Sequence, residues 1–269
     1  MTNHFRTYLI STAALSSTAA FAAFFGLSAF AFAQSDAVAP AVEQSVSKKP
    51  AAAWNDAKSD NPGQVPRLPD GKPDLTGVWD IPYSPDMSRG IGPLPFTAWG
   101  EADFKAYDPS KFDYTAHCLP AGLTRQMNTP MPLEIFQMPK RVALLFEAWN
   151  TFIVVPTDGR DHPKDPDPTW MGNSVGHWDG DTLVVDSIGF NDKTRLDTIG
   201  HPHSDQLHVI QRFSRADPTH LAYEVTVDDP KAYTKPFTNK RVFTLKPKWE
   251  LMEYSCEENN KEITEHLVK

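Results

Sequence analysis

The chain has 269 residues, with 26 Lys and Arg against 34 Asp and Glu, a formal net charge of −8. An acidic balance of this size argues against nucleic acid or an anionic membrane surface as the partner. Hydrophobic residues make up 40% of the chain, enough to fill the core of one large domain.

Residues 1–33 carry Arg6 as their one charge, then an apolar and small-residue run from Tyr8 to about Phe32 that ends Ala31-Phe32-Ala33. This pattern predicts a signal peptide cut before Gln34. The rival reading is an uncleaved anchor helix, because the run approaches the length that spans a bilayer. Cleavage leaves about 236 residues with 25 basic and 34 acidic side chains. Residues 34–66 are rich in Ala, Ser, Lys, Asp and Pro, lack apolar periodicity, and read as a flexible linker. A single folded domain is expected over 67–269.

That domain is punctuated every 8–12 residues. "LTGVWDI" opens it, and "FTAWGEADFKAY" (96–107) is its one helical candidate. "EIFQM" (134–138), "RVALLFE" (141–147) and "TFIVVP" (151–156) are short β-rich runs. "SVGHW" and "TLVVDSI" flank Asp179-Gly180-Asp181, a hairpin signal. "LHVIQRFSR" and "LAYEVTVDD" flank residues 216–219, and "RVFTLKP" and "LMEYSCE" flank Lys248 and Trp249. About ten strands in successive hairpins predict an all-β meander that closes into a barrel or forms a sandwich. Along the run at 207–213, His208, Ile210 and Arg212 share one face, opposite Leu207, Val209, Gln211 and Phe213.

Cys118 and Cys256, in an exported chain, are expected to be bonded to each other; the alternative is two buried free thiols. Acidic neighbours make Cys256 a poor nucleophile.

Gly77-x-Trp79 in the first strand resembles the opening strand of lipocalin-type barrels, where this pattern closes the barrel floor. From about residue 64 to 269, the stretches "PDGKPDLTGVW", "PTWMGNSVGHWDGDTLVVDSIGFND", "GHPHSDQLH", "DDPKAYTKPF" and "EYSCEENNK" resemble a family of exported bacterial proteins with no assigned reaction. The resemblance implies one shared domain, a lipocalin-like barrel of eight to ten strands. Asn173 stands where other members often carry His or Asp, which weakens any scheme that needs a titratable group there.

Chemistry concentrates in "IGHPHSDQLH" (199–208). His201, His203, Asp205 and His208, with Arg212 nearby, are the candidate catalytic groups. Three readings stand. The first is a metal site: His201-x-His203-x-Asp205 is similar in spacing to the metal loop of metallo-β-lactamases, but Gln206 replaces the next histidine, and the glutamate and glycine pattern of cupins is missing too. The second is metal-free acid–base work on a small ligand, with His208 and Arg212 on one strand face and Glu224 across from Arg212. The third is a polar turn with an ordinary cross-strand ion pair. His162, His177, Asp186, Asp192 and Asp197 are further candidates nearby in sequence.

His177, Glu224 and Tyr233 are expected to contact ligand, with "DDPKAYTKPF" closing over a barrel mouth. "PTDGRDHPKDPDPTWMG" lacks the EF-hand pattern and reads as an ordered acidic loop. No phosphate loop, dinucleotide fingerprint or nucleophile elbow is present, so no cofactor is expected. Seven Trp, seven Tyr and sixteen Phe suit a pocket for a small hydrophobic or aromatic molecule. The expectation is therefore a periplasmic or secreted small-molecule-binding barrel, with non-redox His/Asp catalysis as its extension. The alternatives are a non-catalytic envelope protein and a metal-dependent hydrolase.

Overall fold

The computed structural model describes residues 63–258 and Asn260. The expected signal peptide and the linker up to residue 62 lie outside the described residues. The described chain forms one sheet of nine strands: β1 (Gly77–Asp80), β2 (Leu133–Met138), β3 (Arg141–Phe146), β4 (Thr151–Pro156), β5 (Asn173–Asp179), β6 (Thr182–Ile188), β7 (His208–Arg215), β8 (His220–Asp228) and β9 (Phe237–Leu245). Their order is β4-β3-β2-β1-β9-β8-β7-β6-β5, and every neighbouring pair is antiparallel.

Eight antiparallel steps leave the two outer strands, β4 and β5, pointing the same way. The seam between them is therefore parallel, and its connection, residues 157–172, must cross over. The two strands come close, with Gly176 against the Val155 side chain, but no ladder joins them. The result is a nearly closed all-β barrel, as the hairpin spacing predicts.

Hairpin chemistry explains the local order. Gly180 takes φ +60° in the two-residue turn between β5 and β6, a conformation that costs glycine little. Gly77 takes φ +132°, and a Cβ there would stand 2.9 Å from the Leu245 side chain of β9. Two residues on, Trp79 is fully buried and its Nε1–H donates to the Leu75 carbonyl at 2.9 Å.

Alternation decides what faces inward. Leu133, Leu144, Val155, Leu183, Val209, Phe213, Leu221, Val225 and Phe243 join Trp79 in a continuous core. Among the described residues, these buried side chains pack against one another inside the barrel.

One strand expectation fails. "LMEYSCE" does not pair with β9; residues 251–255 have no ladder. Lys246-Pro247 ends the strand, and the segment turns to the β3–β4 connection instead. There Met252 N–H donates to Glu147 Oε2 at 2.9 Å and Asn150 Nδ2 donates to the Tyr254 carbonyl at 2.5 Å. The Cys118–Cys256 disulfide fixes it, closing a separation of 138 residues.

The β1–β2 connection is an inserted layer containing α1 (Ala98–Ala106), α2 (Pro109–Phe112) and α3 (Leu123–Gln126). Thr97 caps α1, accepting from Gly100 N–H at 3.1 Å. Gly100 lies so close to the Ala232 carbonyl that no Cβ fits between them. The β8–β9 loop carrying Ala232 is thus clamped under α1, with Ala232 and Tyr233 fully buried, rather than standing free as a flap.

Candidate functional site

The β6–β7 connection, residues 189–207, lies beside this helical layer. Within it, Asp197 is fully buried and accepts four hydrogen bonds: Met87 N–H at 2.7 Å, Gly200 N–H at 3.1 Å, His201 N–H at 3.1 Å and His201 Nδ1 at 2.5 Å. The His201 ring stacks on Phe104 of α1 with centroids 4.6 Å apart.

His203 has different company. Its Nδ1 lies 3.0 Å from the Ser204 carbonyl and its Nε2 2.6 Å from Thr194 Oγ1. The carbonyl can only accept, so Nδ1 carries the proton and Nε2 accepts from the threonine hydroxyl. Burial holds this imidazole below its usual pKa, which suits the neutral ring. Ser204 in turn donates to Asp229 through its N–H at 2.5 Å and its hydroxyl at 2.9 Å. His201 and His203 are both buried, yet they serve two separate clusters.

The other residues singled out from sequence are dispersed. Asp205 and His177 are exposed. Tyr233 is buried and donates from its hydroxyl to the Pro202 carbonyl at 2.8 Å. The face of β7 carrying His208 and Arg212 is the outer wall, because Val209, Gln211 and Phe213 take the inner one. Arg212 and Glu224 are directly opposed in register but do not pair: Arg212 reaches Asp179 at 2.8 Å, and Glu224 reaches Lys240 at 2.7 Å. This corrects the expected Arg212–Glu224 pair and its interior setting.

On that outer wall the structure does assemble one group. His208 Nε2 is 2.8 Å from Asp186 Oδ1, and His162 Nε2 is 3.1 Å from the same oxygen. His162 Nδ1 is 2.9 Å from Asn173 Oδ1.

Sequence reading passed over a cleft of about 270 Å³ between the α1–α2 segment and the β6–β7 connection. Tyr107, Phe112 and Tyr114 line it on one side and Lys193, Thr194 and Arg195 on the other. The Arg195 guanidinium lies 4.4 Å from the centre of the Tyr107 ring and pairs with Asp103. The Tyr107 hydroxyl is buried and has no hydrogen-bond partner among the described residues. Burial, with Asp113 nearby, pushes its pKa up to about 12, so it remains a donor throughout the neutral range. The local signal for this cleft is weak: aromatic residues spaced through "AYDPSKFDY" read equally well as surface or core.

A second unsatisfied group lies inside the barrel. Arg241 of β9 is buried, and its Nη1 donates to the Met127 carbonyl at 2.8 Å, while Nε and Nη2 lack partners among the described residues.

Among the described residues, one trio of His, Cys, Asp or Glu has ligand atoms all within 4.8 Å of one another: Asp86, Asp197 and His201. Asp197 is ill suited to a cation, since four donors already occupy its two oxygens. No protein-family model matches the chain, and no curated protein matches it in sequence.

Proposed function

We propose that this is an exported small-molecule-binding β-barrel whose ligand is a small aromatic compound held in the cleft between the α1–α2 segment and the β6–β7 connection. The carrying observation is the aromatic wall of that cleft, which includes Tyr107, whose hydroxyl is buried and has no hydrogen-bond partner among the described residues. A buried donor without an acceptor costs about 1–3 kcal/mol, so a ligand whose entry turns the Tyr107 ring enough to bring an acceptor oxygen to the hydroxyl gains affinity and orientation. Tyr107, Phe112 and Tyr114 supply flat apolar surface, and Lys193 offers a cation to a polar ligand group beside Asp103 and Asp192 of the same lining. The packed side chains inside the barrel support this location over the barrel lumen. The disulfide supports an oxidising compartment, periplasmic or extracellular.

Titration of the mature chain with benzoate and 4-hydroxybenzoate, followed by calorimetry, tests the reading. Saturable binding that weakens about tenfold in Tyr107→Phe, and further in Phe112→Ala, supports it. Binding that ignores both substitutions, or no binding of either probe, rejects it.

Acid–base catalysis is the second reading, favoured by one observation: Asp197 orients the His201 ring through Nδ1. Its weakness is access, because Phe96 and Phe104 both pack on that ring.

A further inference from the structure

Strand β4, Thr-Phe-Ile-Val-Val-Pro, is an uncharged strand at the edge of the sheet. Edge strands are normally blunted by charge, a bulge or a covering element, because their unpaired backbone groups recruit other strands. Thr157 N–H donates to the Lys140 carbonyl at 2.9 Å, which sets the alternation along the β3–β4 ladder. Thr151, Ile153 and Val155 turn their backbone groups to β3, so Phe152 and Val154 turn theirs to the seam with β5. Phe152 and Val154 are also 65% and 45% exposed on the outer wall.

The seam is closed at one end, where the Val155 side chain lies against Gly176. At the other end it opens into a cleft of about 330 Å³, whose lining includes Phe152, Val154, Met171, Asn173 and Ser174. The crossover that borders this opening carries Asp158, Asp161, Asp165 and Asp167 against Arg160 and Lys164, so its charge is negative. We propose that the open half of the seam binds an extended peptide, added as a short strand to the edge of β4, with a core of three consecutive apolar residues and basic residues on either side. When the peptide runs antiparallel to β4, the outer two of the three residues lie opposite Val154 and Phe152, and each exchanges a pair of N–H···O bonds with its neighbour. Their side chains rest on Val154 and Phe152, and the middle side chain turns into the cleft. The aspartates of the crossover attract the basic flanks. A second copy of the chain does not suit this opening. β5 stands across it and leaves room for one strand, whereas the edge strand of another barrel brings its own neighbours with it.

The experiment titrates the mature chain with fluorescently labelled acetyl-Lys-Lys-Val-Ile-Val-Lys-Lys-amide, followed by anisotropy, and reads hydrogen exchange of the β4 amides with and without peptide. Saturable one-to-one binding is expected, with exchange at Phe152 and Val154 slowed at least about tenfold. The same peptide N-methylated at both valines keeps its charge and side chains but loses the donors aimed at β4, and should bind at least about tenfold more weakly. Glutamates in place of the four lysines should weaken binding as well, and so should Phe152→Ala, an exposed position whose loss leaves the core untouched. No binding of the peptide overturns the proposal. So does equal binding of the N-methylated peptide, which would mean contact by charge and apolar surface without strand addition, or binding that leaves exchange at Phe152 and Val154 unchanged. Self-association of the chain that rises with concentration and disappears in Phe152→Ala would assign the edge to a second copy and overturn it too.

Discussion

Asp197 grips His201 twice: Oδ1 accepts the His201 backbone N–H at 3.1 Å while Oδ2 meets ring Nδ1 at 2.5 Å. The same carboxylate holds Met87 N–H, which belongs to the inserted layer more than a hundred residues earlier. One buried side chain therefore staples the β6–β7 connection to the β1–β2 connection. Asp197→Ala strands the Met87 and His201 backbone N–H groups and an imidazole, and should cost about 3–5 kcal/mol. Urea unfolding measures it: a lower midpoint with an unchanged slope is the expected result.

His203 predicts a pH dependence. Its folded pKa lies below the unfolded value of about 6.5, because burial disfavours the imidazolium. Above about pH 6.5 the ring is neutral in both states and contributes no slope. Below it, the unfolded chain takes up the proton first, so stability falls as pH drops toward the folded pKa, by at most about 1.4 kcal/mol per pH unit. His203→Gln removes this term. Unfolding free energies at pH 7.5 and 5.5 should diverge less in the variant than in the wild type. Equal slopes would mean that burial does not hold the ring neutral.

The disulfide gives a third test. Closing a loop of 138 residues is worth about 5 kcal/mol in the chain-entropy account, an upper figure. Reduction should lower stability by about 2–5 kcal/mol. It should also loosen the C-terminal segment from the β3–β4 connection, where the Trp149 and Tyr254 rings lie 5.7 Å apart. A change in tryptophan emission on reduction, before any loss of β-sheet signal, is the expected sequence of events.

The barrel was legible because its cues are local. Asp179-Gly180-Asp181 and residues 216–219 announce hairpins, and alternation along β7 and β8 announces two faces. Which face turns inward is not local. Leu207, Val209 and Phe213 argued for it, but Gln211 among them did not, and His208 and Arg212 look as much like a site as like a wall. Their fate depends on what Asp179, Lys240 and the β4–β5 crossover place outside them. "LMEYSCE" was misleading for a related reason: its alternation suits a strand, but Cys118 and Glu147 outcompete β9 for it. The cleft at Tyr107 depends on two connections meeting from opposite ends of the sequence, and no spacing rule encodes that.

Arg241 gives the last prediction. It occupies an inward position of β9, two residues from Asn239 and opposite Tyr223 in register, with its guanidinium 6.0 Å from the Tyr223 ring centre. Burial pulls its pKa below the ordinary arginine value, and the nearby Tyr223 and Asp197 offset the desolvation only in part. Among the described residues, Nε and Nη2 have no partners, and the side-chain oxygens of Gln211 and Asn239, inward-facing on β7 and β9, have none either. The residue's one hydrogen bond, to the Met127 carbonyl, is worth about 1 kcal/mol, while two unmet buried donors cost about 1–3 kcal/mol each. Arg241→Met keeps the length and apolar stem of the side chain and removes the charge. It should raise stability by about 1–2 kcal/mol, read as a higher urea midpoint. A loss of stability instead would show that Nε and Nη2 are satisfied in solution, by ordered water or a bound anion. Chloride would then separate those two: only an anion makes the wild-type midpoint depend on its concentration beyond the shift seen in Arg241→Met.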